Sequence, residues 1–476
     1  MAELATKTTE ALKWSALERF LTQGIQLAIT LLLARLLGPT AFGLVGMLAI
    51  FIAIANVFVD SGFTSALIRK TDRNESDYVT AFYYNIVVAG FCYMGLYISA
   101  PFIAAFYQQH DLVVLLRVLG ITVVINGFML IPKVKLSIVM DFKTQAKISV
   151  ISVFVGGCTS IALAMNGYGV WALIVQTLVN ASCNVLLFNI LVPWWPRVKG
   201  SKQSFLYLFG FGSKLLLSGL LEVAYNNLCQ LIIAKKFTPA AVGQFTQANQ
   251  LASVPSITLT GILQRVTFPL FSQLQHEPEK MADGYRFAIK IAAIVIFPLI
   301  MGLGLISEPL LTSLLGSQWQ PASILLTVLC IGYMLYPIHA INLNLLQVIG
   351  RSDLFLKIEV VKKIIGVAIL LVSIPYGVLA MAIGLSITSY IALLLNTYYT
   401  AKLTHISQWQ QFKDLAPIWI AVILSTLLAF VAGLTWQSQP WLQIVINIGV
   451  ALCCYLLYLL LAQKPLLTRL NSILRH

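Results

Sequence analysis

The sequence predicts an all-α integral membrane protein with about fourteen transmembrane helices, each about 20 apolar residues long. Three observations carry this. The 476 residues are 59% hydrophobic and only 10% charged, with a mean hydropathy of +0.87. Long stretches contain no charge at all. Basic residues recur in every second connection between apolar runs. A soluble chain carries about 25% charged residues, so the composition excludes an ordinary soluble protein, a disordered chain and a nucleic-acid binder.

The spans follow in order. Apolar runs at 12–37, 41–68, 78–107 and 112–131 give helices 1 to 4. The stretch 148–196 lacks Asp, Glu, Lys and Arg, and Asn166, Gly167 and Gly169 interrupt its middle. It reads as a helix hairpin with a short polar turn. Runs at 205–234, 240–270 and 281–306 follow. Three more charge-free stretches, 309–350, 364–401 and 415–463, are broken near Gly316 to Pro321, Pro375 to Gly377 and Gln437 to Pro440. A membrane barrel would show short strands alternating apolar and polar; these runs are continuous and far longer. The polar start, 1–13, is followed by an apolar run too long for a signal-peptide core, so no cleavable signal is expected. The seven cysteines show no metal-ligand spacing, and the five histidines are scattered without a partner arrangement.

The charge balance, 31 Lys and Arg against 17 Asp and Glu, is +14. Most of it is an orientation code. Lys7 and Lys13 precede helix 1, and Arg69, Lys70 and Arg73 follow helix 2. Lys133, Lys135, Lys143 and Lys147 follow helix 4, and Arg197, Lys199 and Lys202 follow helix 6. Lys280 and Arg286 come after helix 8; Lys464, Arg469 and Arg475 come after helix 14. The intervening connections are nearly free of Lys and Arg, with Arg35, Lys235 and Lys236 as exceptions. The positive-inside rule then places both termini in the cytoplasm.

The chain repeats at an offset of roughly 200 residues, as transporters with parallel repeats do. Residues 34–43 align with 234–243, 115–121 with 325–331, and 168–172 with 376–380. An even number of helices per repeat makes the halves parallel copies about an axis along the membrane normal. The expected division is an N-terminal lobe at 1–196, a C-terminal lobe at 197–402, and helices 13 and 14 with a cytoplasmic tail at 403–476.

Charge inside a span is costly and faces a cavity or a partner. Helix 7 carries Lys214, Ser218, Glu222, Asn226 and Gln230 at four-residue spacing. Its counterpart, helix 1, carries Glu18, Thr22, Gln26 and Thr30 with Arg19 and Gln23 beside them. Two such stripes fit a shared hydrated cavity; bonding to neighbouring helices is the other reading. Asp60, Arg265 and Lys290 complete the candidate transport residues. Arg and Lys supply charge-assisted bonds to phosphate, and buried Glu18 or Glu222 could carry a coupling proton. The chain has no nucleotide-binding glycine loop, metalloprotease motif or serine-hydrolase elbow, and no large outer loop for glycan chemistry, so an enzyme, catalytic residues, a metal and cofactors are not expected.

Several motifs carry a family resemblance: Lys13, Trp14, Ser15 and Ala16; 34–39 with Phe42 and Gly43; 60–63; 243–250 with Val254 and Pro255; and 265–269. With them, essentially the whole chain resembles Wzx-type polysaccharide and O-antigen flippases, in particular the colanic-acid exporter branch. These belong to the multidrug/oligosaccharidyl-lipid/polysaccharide exporter superfamily. The resemblance implies two six-helix lobes in a V, here with an added C-terminal hairpin. It implies transfer of an undecaprenyl-diphosphate-linked oligosaccharide to the outer leaflet of the bacterial inner membrane. It also implies a glycan polymerase and its chain-length machinery as partners. Membrane lipids, and H+ or Na+ as coupling ion, complete the expected partners, with no nucleic acid. The alternative is a cation-coupled multidrug extruder, which would favour acidic over basic cavity residues.

Overall fold

The computed structural model describes residues 2–404, 406–464 and 466. His405, Arg469, Arg475, His476 and the side chain of Lys7 lie outside the described residues. Every regular element is helical, with no strand among the described residues. The chain divides into two compact units, 1–243 and 244–476.

The first unit holds α1 (Ala2–Asp60), α2 (Phe63–Arg69), α3 (Glu75–Tyr107), α4 (Leu112–Leu119), α5 (Ile121–Gly127), α6 (Leu130–Ile138), α7 (Phe142–Met165), α8 (Trp171–Leu191) and α9 (Lys202–Lys236). The first turn of α10 (Pro239–Gln273) also belongs to it. The second unit holds the rest of α10, then α11 (Pro278–Leu305), α12 (Ser307–Leu315), α13 (Gln320–Tyr333), α14 (Tyr336–Val348), α15 (Ser352–Ser373), α16 (Val378–Leu403), α17 (Gln408–Gly433) and α18 (Pro440–Ala462).

By length and apolarity, ten helices are able to cross a membrane, or eleven if the bent pair 112–127 and 130–138 is one span. The expected fourteen is therefore not reached on this count, and the reasons are physical. Expected helices 1 and 2 form one apolar run, Lys13–Arg69, about 85 Å long at 1.5 Å per residue. That is more than twice the hydrocarbon thickness. It breaks at Gly38, whose φ of 74° lies in the left-handed region, just before Pro39. Only glycine adopts that conformation without a steric cost. Helix α10 is diluted by Gln244, Gln247, Asn249 and Gln250, and α15 by Asp353, Lys357, Glu359, Lys362 and Lys363, so neither is among the ten.

The sequence repeat has local structural echoes. Pro39 and Pro239, aligned in the repeat, each open a helical segment, where a missing N–H costs nothing. Gly169 and Gly377, also aligned, both adopt positive φ in the turns before α8 and α16.

Packing inside the first unit has a readable register. Ser149 of α7 bonds Glu18 of α1 at 2.8 Å, and Gly157 lies against Ile29; rising numbers meet rising numbers, so the helices are parallel. Helix α9 runs antiparallel to the second half of α1. Gly212 lies against Ser61 and Gly62, Gly219 against Val57, and Gln230 bonds the Gly46 carbonyl. A Cβ on Gly212 would stand 2.4 Å from the Ser61 carbonyl oxygen, so this crossing requires glycine. Phe63, Leu67, Phe82, Ile131 and Leu208 form a core beside it.

In the second unit, α11 packs on α13, α14, α17 and α18. A buried polar knot joins α11, α14, α16 and α17. The Tyr285 hydroxyl lies 2.9 Å from Asn342 Oδ1 and 2.8 Å from Gln411 Oε1. Thr400 donates to the same Asn342 oxygen. Buried polar groups need such partners, and the knot fixes the trailing hairpin α17–α18 to α11.

Candidate functional site

The residues expected to line a transport route divide into three groups. Arg19 and Asp60 on α1, Lys214, Glu222 and Asn226 on α9, and Arg265 on α10 have exposed side chains. Arg19, Lys214 and Arg265 make no ion pair among the described residues. Asp60 accepts a hydrogen bond from Thr64 at 2.8 Å.

A second group is half-buried and hydrogen-bonded within the protein. Gln230 is half-buried, its amide donating 2.7 Å to the Gly46 carbonyl. Glu18 is half-buried and accepts from Ser149. Gln26 reaches Thr30 within its own helix at 3.4 Å, and Gln23 is half-buried and also has a partner. The geometry explains the division on α9. A four-residue step advances about 40° around a helix, so the stripe rotates from Lys214 to Gln230 by nearly half a turn. Its first four members stay exposed; its last reaches the face that packs on α1.

Lys290 forms the third group. Its ammonium lies 2.8 Å from Asp414 Oδ1. Arg286, one turn earlier on α11, donates to both oxygens of the same carboxylate at 2.6 and 2.9 Å. Arg286, counted with the basic residues that follow helix 8, lies within α11. The Asp414 side chain is 6% exposed, against 38% for Arg286 and 28% for Lys290. Two cations clamp one buried carboxylate, which makes this a structural junction between α11 and α17.

Asp414 was not among the expected residues. A sequence signal existed: it is the last acidic residue of the chain, and Arg286 and Lys290 are spaced for one helix face. His339 is a second omission. It does have a partner arrangement, with Nε2 3.0 Å from Ser389 Oγ and Nδ1 3.2 Å from the Asn396 amide. Ser389 donates onward to the Gly332 carbonyl.

An apolar cavity of about 600 Å³ lies among α10, α11, α17 and α18 of the second unit, lined by Pro298, Leu299, Gly302, Val422, Leu452 and Tyr455 among others. No group of three or more His, Cys, Asp or Glu able to hold a metal occurs among the described residues.

Comparison with known proteins gives a consistent picture. A match to the family described as "Polysaccharide biosynthesis protein" covers residues 32–324, more than half the chain. The chain is 26% identical over 471 residues to the teichuronic acid biosynthesis protein TuaB of Bacillus subtilis (strain 168), covering 98% of this chain and 97% of the relative. It is 23% identical to the lipopolysaccharide biosynthesis protein WzxC of Escherichia coli (strain K12), over 92% of this chain and 89% of the relative. Among solved structures, the inward closed lipid II flippase MurJ matches with a TM-score of 0.73 at 15% identity, over 94% of this chain and 99% of that one. An inward-facing multidrug resistance MATE transporter of the MOP superfamily matches with a TM-score of 0.63 at 17% identity, over 81% and 94%. The chain therefore has the transporter fold shared by MurJ and MATE proteins.

Proposed function

The chain belongs to the polysaccharide biosynthesis protein family, and from that premise we propose that it is a flippase for a polyprenyl-diphosphate-linked oligosaccharide. It moves this substrate from the cytoplasmic to the outer leaflet of a bacterial inner membrane by alternating access, with both termini cytoplasmic.

One observation carries the reading: Arg19, Lys214 and Arg265 are exposed within or beside apolar helices, and among the described residues no carboxylate pairs with them. Lipid does not solvate such charges, so they face water or a ligand. A diphosphate is the ligand class that suits several uncommitted cations. The apolar cavity beside the trailing hairpin supports a lipid-linked substrate, because it offers a polyprenyl chain apolar surface. Within the first unit, Arg19 and Lys214 are the candidate cations for the diphosphate, with Asn226 and Asp60 for the sugars; Arg265 is the separate candidate cation of the second unit. Lys290 is withdrawn from that list by its bond to Asp414.

Coupling to H+ or Na+ and transfer of product to a glycan polymerase with chain-length machinery belong to the same proposal. Glu222 is the exposed carboxylate of the α9 stripe and the better candidate for coupling, since Glu18 is bonded to Ser149. Glu222 and the MATE-like fold also favour the second reading, a cation-coupled drug extruder.

Reconstitution tests the choice. Purified protein in vesicles should move a polyprenyl-diphosphate-linked oligosaccharide between leaflets. Lys214→Ala with Arg265→Ala should slow it at normal protein levels; full activity in that double variant defeats the assignment. Drug hypersensitivity of a deletion strain with normal surface glycan would favour the extruder.

A further inference from the structure

A proline inside a helix removes the donor for the carbonyl four residues earlier. In a bilayer no water replaces it, so another protein group must. Two prolines of this chain show the same replacement. Pro101 frees the Tyr97 carbonyl, which accepts from Arg117 Nε of α4 at 3.4 Å. Pro298 frees the Ile294 carbonyl, which accepts from the Tyr455 hydroxyl of α18 at 3.0 Å.

The second case differs from the first in place. Tyr455 is 4% exposed, and its donor comes from the trailing hairpin rather than from the repeated helices. Tyr455 and Pro298 both line the apolar cavity, facing it with Leu299, Gly302 and Leu452. Helix α11 stays continuous through Pro298, so the hydroxyl of α18 completes the hydrogen bonding of the helix that forms the cavity wall.

We propose that Tyr455 is a positioning residue for transport: its bond to the Ile294 carbonyl fixes α18 against α11 at Pro298 and sets the shape of the apolar cavity for the lipid chain. This rests on the flippase reading above. The trailing hairpin is then a working part of the transporter, because it supplies a bond that α11 cannot make for itself.

A double-mutant cycle isolates the bond. In Pro298→Ala the new residue's own N–H can bond the Ile294 carbonyl, so the hydroxyl becomes dispensable. Tyr455→Phe should lower the thermal midpoint of the purified full-length protein by about 2–4 °C in the natural background and leave it unchanged beside Pro298→Ala. An equal loss in both backgrounds, or none in either, overturns the bond's role.

The transport arm uses vesicles and two substrates, a full-length polyprenyl-diphosphate-linked oligosaccharide and one truncated to a few isoprene units. Tyr455→Phe should slow the full-length substrate about threefold, a loss of roughly half a tenfold step, and spare the truncated one. Equal slowing of both overturns the positioning role. Movement of neither by the unaltered protein overturns the flippase reading and the positioning role with it; the thermal cycle still decides the bond.

Discussion

Lys214 in the first unit and Lys290 in the second are both lysines within helices long and apolar enough to cross a membrane, and the protein handles them in opposite ways. Lys214 stands exposed on α9 with no ion pair among the described residues. Lys290 is closed against Asp414 and shares it with Arg286. A cation that binds a ligand must keep its charge uncommitted until the ligand arrives. A cation that joins two helices must be neutralised permanently. Position within a span therefore does not reveal which role a charge has; its neighbours do.

The junction is the place to break first. Asp414→Ala would leave two cations facing each other without a carboxylate. Arg286 and Lys290 are partly exposed, so the loss is that of charge-assisted hydrogen bonds, about 1.5–3 kcal/mol; this variant should show the largest loss of stability, read as a fall in thermal midpoint or in folded yield. Lys214→Ala should leave both unchanged. If the two substitutions destabilise equally, the contrast between the lysines is wrong.

The next effect tests what presents Lys214. Gly212, half a turn before it on α9, meets the Ser61 carbonyl where no Cβ fits. Gly212→Val must push α9 from α1, and overpacking of this kind costs about 1–3 kcal/mol. Denaturation midpoints of the purified variant check it, with Gly210→Val as control, since Gly210 has open space around it.

Transport should respond where stability does not. Lys214→Ala alone should reduce leaflet transfer about tenfold, the effect of losing roughly 1.4 kcal/mol of charge-assisted binding, with an unchanged thermal midpoint. Lys290→Ala should instead lower the midpoint and reduce transfer only in proportion to folded protein. Initial rates normalised to folded protein separate the two patterns.

These contrasts mark what the sequence could convey. The all-helical membrane fold was legible because continuous apolar runs admit no other backbone solution in lipid. The turns at Pro39, Pro239, Gly169 and Gly377 were legible too, since backbone conformation constrains those residues directly. The number of spans was less so, because polar side chains in α10 and α15 blur the boundary between a membrane helix and an ordinary one. The site was legible only as a list of polar residues. Asp414 lies 128 positions from Arg286, and no periodicity connects them. Tyr455 and Ile294 are 161 positions apart, and the link becomes visible only when the carbonyl freed by Pro298 is sought.

The α9 stripe itself gives the finest test of the contrast, because it contains both kinds of residue one turn apart. Asn226 and Gln230 are both uncharged, both able to hydrogen-bond, and identical in the sequence pattern. The 40° advance per four residues leaves Asn226 exposed and turns Gln230 onto the Gly46 carbonyl. Gln230→Ala removes a partly buried interhelical bond and should cost about 1 kcal/mol. Asn226→Ala, at an exposed position, should stay within about 0.5 kcal/mol. In transport the order reverses: Asn226→Ala slows transfer of the oligosaccharide, and Gln230→Ala acts only through the amount of folded protein. Equal stability costs would mean that α9 does not present the register described here, and the exposed run from Lys214 to Asn226 would lose its claim to face the substrate.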